Sequence, residues 1–362
     1  NIFVKKSWFL LIFNQIKLVS LINLTIHILL IIKGVNMNNL KKIGLSALAG
    51  SLVAFSANAV EMSVSGTAEA TYTTSGGTTD VSGNPYGANT SVKFSGSGDV
   101  GFGDMTIVRT LNDGIGAALS AYMTLNMGSM GTLSLDSIGG DLEGLGPHDD
   151  NLPTAYEEVW TGVSSSGVTG AASNDTIGYR NTFAGLTVSL AHSGGGTAGT
   201  GDGGSEGAGV TSKVTDYHLK YAVPVIEGLT LQYGKSTTDF SEAGAKDDVD
   251  QVGHILYSTG PVSVGYRYAT FEDGTDDANA NEMEAYAIAF NVNDEFSLSF
   301  ATQDKLFDDP SGTDVTETSD AINASYTMGA MTLRGTFGEA DAVGGVAGVT
   351  DEHMELSAIF AF

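Results

Sequence analysis

Glu295-Phe-Ser-Leu-Ser-Phe300 alternates large apolar side chains with serines, and this alternation decides the fold of the chain. Successive side chains of a β-strand point to opposite faces, so the apolar residues would share one face and the serines the other. The same alternation is found in Asp216-Tyr-His-Leu-Lys-Tyr221 and in Met331-Thr-Leu-Arg-Gly-Thr-Phe337. The pattern predicts an all-β protein in which each strand has one apolar and one polar face.

Alternating runs recur throughout residues 60–362 and predict about sixteen strands, each close to the roughly 9–11 residues that a tilted membrane strand needs. They lie near 61–72, 90–100, 103–112, 115–126, 130–136, 175–183, 185–194, 214–223, 228–237, 248–258, 261–271, 282–292, 295–304, 317–328, 330–338 and 351–362. Short turns alternate with longer polar loops between them, with the short link around Asn112-Asp113-Gly114 as an exception. This alternation is typical of a transmembrane barrel.

The expected width of the barrel decides which face contacts lipid. Side chains cannot fill a barrel of sixteen strands, so the apolar face would point outward and the polar face would line water. Closure also leaves no unpaired strand edge in the hydrocarbon. We therefore predict a transmembrane antiparallel β-barrel over residues 60–362.

Composition and charge exclude several classes of protein. The chain has 42 Asp and Glu, 16 Lys and Arg, and no Cys. Six bases and no acids lie in residues 1–59, which leaves residues 60–362 with 42 acids against 10 bases, a formal charge of −32. This balance excludes a nucleic-acid partner, which requires clustered bases. The absence of Cys excludes disulfides, thiol catalysis and Cys-based zinc sites.

The N-terminal region has the composition of an export signal. Met37-Asn-Asn-Leu-Lys-Lys42 precedes the apolar stretch Ile43–Phe55 and the small residues of Ala57-Asn58-Ala59. These are the three parts of a signal peptide, so we expect residues 37–59 to be removed by cleavage after Ala59. Residues 1–36 are interpreted as an upstream over-extension that is not part of the mature protein. The alternative is that Ser7–Ile32 forms a membrane anchor, since it is long enough to span a bilayer.

The two end strands resemble those of a known family. Met354-Glu-Leu-Ser-Ala-Ile-Phe-Ala-Phe362 and Val64-Ser-Gly-Thr-Ala-Glu69 are similar to the last and first strands of general-diffusion porins of the Gram-negative outer membrane, particularly the alphaproteobacterial type. The resemblance covers residues 60–362. It implies an outer-membrane channel, a homotrimer, contact with lipid and lipopolysaccharide, and a role for Phe360 and Phe362 in the signal that the barrel assembly machinery reads.

The resemblance also implies that a long third loop, Ser137–Asn174, folds into the barrel lumen and narrows it. The expected acidic residues of this pore constriction are Asp141, Glu143, Asp149, Asp150, Glu157 and Glu158. The expected basic residues of the facing pore wall are Lys93, Arg180, Lys220, Arg267 and Arg334. Arg109 is not assigned to either face, because the apolar residues Met105, Ile107 and Leu111 share its side of the strand.

Several local patterns match motifs that carry other chemistry. Two glycine patterns, Gly96–Gly101 and Gly194–Gly199, match the dinucleotide-binding spacing, but neither opens a helix in a βαβ unit. His148-Asp149-Asp150 could bind a metal, although a solvated acidic loop is the simpler interpretation. Acidic clusters such as Asp247-Asp248-Asp250 could bind Ca²⁺ or Mg²⁺ and bridge to lipopolysaccharide, or could serve only solubility. No catalytic triad can be placed, so we expect no enzyme and no resident cofactor.

The predicted function is a water-filled channel for passive diffusion of small hydrophilic solutes and ions. The charge of −32 predicts a preference for cations. The alternative is a substrate-specific channel for sugar or phosphate. An outer-membrane enzyme or adhesin that uses the same barrel is a more distant alternative.

Overall fold

A computed structural model describes residues 61–78, 83–112, 118–138, 142–168, 172, 175–194, 212–240, 246–274, 280–307 and 314–362. The predicted over-extension of residues 1–36 and the signal peptide of residues 37–59 lie outside this set. Helices in the described ranges are single short turns, and none has the length and apolarity to cross a membrane.

The described residues form sixteen strands in one closed antiparallel barrel, which confirms the predicted fold and strand number. Each strand pairs with the next along the chain, and β16 pairs with β1. The strands are β1 (Glu61–Gly77), β2 (Tyr86–Asp99), β3 (Asp104–Asn112), β4 (Ala118–Asn126), β5 (Thr132–Ile138), β6 (Thr176–Phe183), β7 (Leu186–Ser193), β8 (Ser212–Ala222), β9 (Leu229–Phe240), β10 (Asp248–Thr259), β11 (Val262–Glu272), β12 (Asn281–Asn291), β13 (Phe296–Phe307), β14 (Val315–Met328), β15 (Met331–Asp341) and β16 (Thr350–Ala361).

The barrel has two distinct ends. Short turns such as Phe183-Ala184-Gly185 connect strands at one end, which we call the turn end. The longer connections lie at the opposite loop end. Several strands continue further at the loop end than predicted: β1 was expected to stop near residue 72 but continues to Gly77, because its polar residues keep pairing with β16. Membrane thickness does not limit pairing at this rim.

The two faces of the wall have the predicted polarity. On β13, Ser299 is 7% exposed and points inward, whereas the adjacent Phe300 is 44% exposed and points outward. Gln303 and Lys305 follow on the inner face. Large exposed apolar residues occur on the outward positions of other strands too, as the alternation requires.

The C-terminus closes the barrel against Gly66 of β1. The backbone amide of Gly66 donates to the Phe362 carbonyl at 2.8 Å, and the Phe362 amide donates to the Gly66 carbonyl at 3.0 Å. A Cβ atom on residue 66 would lie 2.5 Å from the Phe362 ring and 2.7 Å from the Ser91 carbonyl oxygen. Glycine at this position therefore allows the terminal ring to cover the seam between the first and last strands.

The wall is lower on one side than on the other. Strands β3 to β7 have 9, 9, 7, 8 and 8 residues. Strands β8 to β16 have 11 to 14 residues. The third loop leaves the barrel wall within the lower side, between β5 and β6.

Candidate functional site

Loop 3, the segment between β5 and β6, lies inside the barrel along its inner wall. Near its start Glu143 contacts β6 and β7. Further along, Pro153 approaches Gly265 of β11, and Tyr156 reaches Glu355 of β16. The described part of the loop thus follows the inner face from β6 to β16, which we call the covered wall. The inner face of β1 to β5 is called the open wall.

Three glycines allow the loop to lie directly on the wall. Gly144, Gly162 and Gly167 have φ values of 84°, 77° and 76°, in the left-handed region that other residues rarely adopt. A Cβ atom on Gly144 would lie 2.7 Å from the Ala191 side chain. Cβ atoms on the other two would overlap the side chains of His353 and Met283. At these three positions the loop can lie this close to the wall only because the residue has no side chain.

An aromatic residue gives the loop one of its apolar contacts with the wall. Trp160 is 9% exposed and packs with Val159 against small residues of three neighbouring strands: Ala287, Ala301 and Ala321. The small wall residues leave room for the indole ring. This burial holds the middle of the loop on the covered wall.

Arg267 of β11 binds two points of loop 3. Its Nε atom donates to the Asp149 carbonyl oxygen at 2.7 Å, and a terminal nitrogen donates to the Ser166 carbonyl oxygen at 2.7 Å. Its guanidinium carbon lies 4.9 Å from the centre of the Trp160 ring. The side chain is fully buried. Arg267 therefore clamps the two halves of the loop to the wall.

The start of the loop is held by a buried carboxylate. Glu143 accepts a hydrogen bond of 2.7 Å from the Ser189 hydroxyl, and its carboxylate lies 3.8 Å from Nε of Arg180. Burial raises the pKa of the Glu143 carboxyl, while Ser189 and Arg180 act in the opposite direction. The Glu143 carboxylate therefore attaches the start of loop 3 to β6 and β7.

A third contact with charged wall residues joins Tyr156 of loop 3 to β15 and β16. The Tyr156 hydroxyl donates to Glu355 at 2.5 Å, and the Arg334 guanidinium lies 4.4 Å from the Tyr156 ring centre. Arg334 is also 3.8 Å from the carboxylate of Glu69. Burial and the neighbouring Glu355 raise the pKa of the Tyr156 hydroxyl.

Neutral hydrogen bonds that were not predicted from the sequence add to these contacts. Asn323 donates to the Glu157 carbonyl oxygen at 2.9 Å. Ser299 accepts from the Ala155 amide at 2.9 Å. Such residues are common on any inward strand face, so the sequence carries no signal that singles them out.

Histidines form another unpredicted contact between loop and wall. The rings of His148 and His218 stack with centres 4.0 Å apart and an interplanar angle of 22°. Burial lowers the pKa of His148 to about 4, and the charges of Lys220 and Arg180 act in the same direction. His254 lies nearby on β10 and is 2% exposed. No group of three metal-binding side chains within the described residues is arranged to hold a metal ion.

The remaining predicted acids of the constriction gather on loop 3. Burial raises the pKa of Asp149 to about 6, with a smaller contribution from Asp150. Burial also raises the pKa of Glu158, and the charges of Asp150 and Glu157 add to this effect. Thr161 donates to Glu157 at 3.2 Å. Asp141 lies outside the described residues. Loop 3 therefore carries closely spaced negative charges.

The predicted bases occupy three different environments. Arg180, Arg267 and Arg334 contact loop 3 residues directly. Lys220 lies on the inner face of β8, with its charge close to His148. Lys93 lies on the open wall, where it alternates with the outward Phe94 and pairs with Ser65 and Thr110.

Arg109, which the sequence left unassigned, lies on the outer face. It pairs with the outward Phe94, and its neighbour Val108 is buried on the inner side. Phe360 also points outward and is 51% exposed, while Phe362 follows the last strand.

The family model described as Gram-negative porin matches residues 44–362. No curated protein matches the chain.

Solved porin structures share the fold. Salmonella typhi OmpF, in a complex with daunomycin, is 13% identical with a TM-score of 0.63, covering 84% of this chain and 98% of OmpF. The trimer form of Vibrio cholerae OmpT is 11% identical with a TM-score of 0.60, covering 84% of this chain and 100% of OmpT. A mutant of the Rh. blastica porin is 11% identical with a TM-score of 0.54, covering 83% of this chain and 100% of that porin.

At these identities the structural likeness establishes the fold, while the family model covers the entire barrel. The barrel and the family place the protein in the bacterial outer membrane as a channel. The chain belongs to the family of Gram-negative porins.

Proposed function

We propose that this porin is a general-diffusion channel that passes small hydrophilic solutes and ions down their gradients and catalyses no reaction. The observation that carries the proposal is the position of loop 3, which is bound to the covered wall and faces an open wall rich in Ser and Thr. A polar passage between a fixed loop and a polar wall favours diffusion of hydrated solutes that is limited by their size.

Liposome swelling with uncharged sugars of increasing size tests this proposal. We expect the uptake rate to fall steadily with solute size and not to saturate with concentration. Saturable uptake of one sugar, or of phosphate, would instead favour a substrate-specific channel. An absence of uptake with correctly folded barrels would contradict the channel itself.

We further propose that the channel prefers cations. Acids offset the charge of the three wall arginines that contact loop 3: Arg180 lies beside Glu143, Arg334 beside Glu69 of β1, and the buried Arg267 close to Asp149. Asp150, Glu157 and Glu158 then remain as clustered negative charges near the passage. Among the described residues of the open wall, Lys93 is the single basic residue that faces inward. The net charge between loop 3 and the open wall is therefore negative.

The ion preference is measured as a reversal potential across a planar bilayer under a KCl gradient. We expect the sign that corresponds to K⁺ selectivity. A reversal potential of the opposite sign would refute the preference while leaving the channel proposal intact.

The proposed biogenesis rests on the signal-peptide pattern of residues 37–59 and on the alternating residues of β16. We propose cleavage after Ala59, recognition of Phe360 and Phe362 by the barrel assembly machinery, and assembly into a homotrimer in contact with lipid and lipopolysaccharide. N-terminal sequencing of the mature protein should begin at Val60; any upstream start would contradict the cleavage site.

No resident cofactor is proposed, but Ca²⁺ or Mg²⁺ could bridge acidic loops to lipopolysaccharide. Loss of binding to lipopolysaccharide vesicles in a chelator would support that bridge.

A further inference from the structure

Loop 8, the connection 342–349 between β15 and β16, differs in composition from the other connections at the loop end. It reads Ala342-Val-Gly-Gly-Val-Ala-Gly-Val349 and has no charged side chain, whereas each of the others contains at least one acid. Its backbone also closes on itself. The Val343 amide donates to the Val349 carbonyl oxygen at 3.1 Å, and the Gly345 amide donates to the Ala342 carbonyl oxygen at 3.0 Å. Loop 8 is therefore a compact apolar element at the rim of the barrel.

A carboxylate inside the barrel binds loop 8 and loop 3 at the same time. Glu317 of β14 points inward and is 2% exposed. One of its oxygens accepts a hydrogen bond of 2.7 Å from the Gly344 amide of loop 8. Its other oxygen accepts a hydrogen bond from the Ser164 hydroxyl of loop 3. Because a buried carboxylate is costly without donors, displacement of either loop leaves Glu317 less well satisfied.

A second link between the two loops passes through an aromatic ring. A Cβ atom on residue 345 would lie 2.9 Å from the Phe307 ring of β13, so loop 8 lies directly on that ring. Lys305 Nζ lies 4.9 Å from the centre of the same ring and donates to the Ser165 hydroxyl of loop 3 at 2.8 Å. Lys305 also pairs directly with Glu317 across β13 and β14. The two links thus begin at adjacent glycines of loop 8 and end at adjacent serines of loop 3.

The two serines lie next to the buried part of loop 3. The Ser164 amide donates to the Trp160 carbonyl oxygen at 2.8 Å, which places the serine one turn after the tryptophan. Trp160 packs on the covered wall beneath the Arg267 guanidinium. A displacement of the two serines therefore acts on the segment that holds loop 3 in place.

We infer that loop 8 and loop 3 are coupled, with Glu317 and Lys305 as the positioning residues that join them. Long loops of such barrels face the outside of the cell. A contact at the cell surface that displaces loop 8 would then loosen the segment that narrows the channel, and a change in loop 3 would loosen loop 8, since such coupling is reciprocal. The inference goes beyond the proposed diffusion function and rests on it only for its electrical measurement.

Two glycines of loop 8 provide a matched pair of substitutions. Gly345 and Gly348 have φ values of 74° and 81°, so alanine strains the backbone at both positions. At residue 345 the added Cβ would also meet the Phe307 ring, whereas at residue 348 it would meet nothing within 4 Å. We expect Gly345→Ala to shift the Trp160 emission to the red and to increase the fluctuations of single-channel current. Gly348→Ala should change neither signal.

The same two substitutions in a Ser164→Ala/Ser165→Ala background show whether the signal passes through the two links. We expect Gly345→Ala to have no further effect in that background. The inference is overturned by an unchanged Trp160 signal in Gly345→Ala, by equal effects of the two glycine variants, or by equal effects of Gly345→Ala in both backgrounds. Heat-dependent mobility on gels verifies that each barrel has folded. Trp160 is the only tryptophan of residues 60–362, so the fluorescence decides this inference even if the barrel fails to conduct and the proposed channel is wrong.

A reciprocal measurement does not depend on the glycine variants. Val346 of loop 8 is 55% exposed, and the chain has no native Cys, so a nitroxide on Val346→Cys reports on loop 8 alone. Ser164→Ala/Ser165→Ala should increase the mobility of this label in electron paramagnetic resonance spectra. Tyr156→Phe removes the hydrogen bond to Glu355 from an earlier part of loop 3 and should leave the spectrum unchanged. Spectra that respond to neither change, or equally to both, would refute the coupling.

Discussion

At the scale of single residues, Gly66 is the position on β1 against which Phe362 packs. Its backbone forms two hydrogen bonds with Phe362, and the ring of Phe362 covers the space where a side chain would be. Overpacking of this kind typically costs about 1–3 kcal/mol. The terminal aromatic residue thus needs a specific glycine on the strand that it joins.

We therefore expect Gly66→Ala to lower the urea concentration at which the barrel unfolds. Gly253→Ala is the matched control, because residue 253 also points outward and its Cβ would lie 3.8 Å from its nearest neighbour, the Gln232 carbonyl oxygen. That control should change stability by less than about 0.5 kcal/mol. Equal effects of the two substitutions would contradict the role of the Phe362 contact.

We expect His148 to make the binding of loop 3 to the wall depend on pH. Its pKa is about 4 in the bound loop, against an ordinary value of 6.5. A lowered pKa means that the bound loop favours the neutral ring, so this contribution is complete above pH 6.5 and is lost as the pH falls from 6.5 to 4. The raised pKa of Asp149 acts in the opposite sense.

Comparison of wild type with His148→Gln isolates the histidine, since Asp149 is present in both proteins. Trp160 reports on loop binding, because the other tryptophan, Trp8, precedes the predicted cleavage site. We expect the Trp160 fluorescence of wild type to shift toward that of an exposed indole between pH 6.5 and 4 by more than in the variant. Identical pH profiles would exclude a role for His148.

At the scale of structural elements, loop 3 is held by its contacts with the wall more than by its own secondary structure. Arg267 is central, because its guanidinium joins two loop carbonyl groups and covers Trp160. A lysine has one nitrogen in place of the planar fork and cannot reproduce this geometry. Loss of one such charged hydrogen bond costs about 1.5–3 kcal/mol.

Arg267→Lys should therefore loosen the loop while leaving the barrel closed. We expect a red shift of Trp160 fluorescence and larger current fluctuations in single-channel records. Lys93→Arg, on the open wall, serves as the control and should change neither signal. A variant with unchanged fluorescence and steady current would show that the clamp is dispensable.

At the scale of the whole molecule, the distribution of charge should govern which ions pass. A carboxylate about 8 Å from a passing ion contributes about 0.5 kcal/mol in water, which corresponds to about twofold in permeability. Asp150, Glu157 and Glu158 lie together on loop 3. Their combined effect should exceed that of acids distant from the passage.

We expect Asp150→Asn combined with Glu157→Gln and Glu158→Gln to move the reversal potential toward zero. Glu295→Gln at the turn end is the control and should have a smaller effect, because residue 295 lies in a connection outside the lumen. The proposed charge effect fails if the two proteins share one reversal potential.

Much of the fold could be predicted from the sequence because strand alternation is a local property. The predicted strand near 295–304 corresponds to β13, Phe296–Phe307, and the short turns lie where glycines and polar residues indicated them. The alternation also predicted that Lys93 and Lys220 point inward, and both lie on the inner face of their strands. For Arg109 it was ambiguous, because a polar residue shared a face with apolar ones.

The sequence alone determined the membrane barrel, its strand number and its acidic charge, since each follows from local periodicity or composition. Only the tertiary structure decided which side chains meet. The clamp of Arg267 on the Asp149 and Ser166 carbonyl groups joins points more than a hundred residues apart, as does the contact of Phe362 with Gly66. Such contacts depend on strand register and loop path, which are set by packing across the closed barrel and leave no mark in any single stretch of sequence.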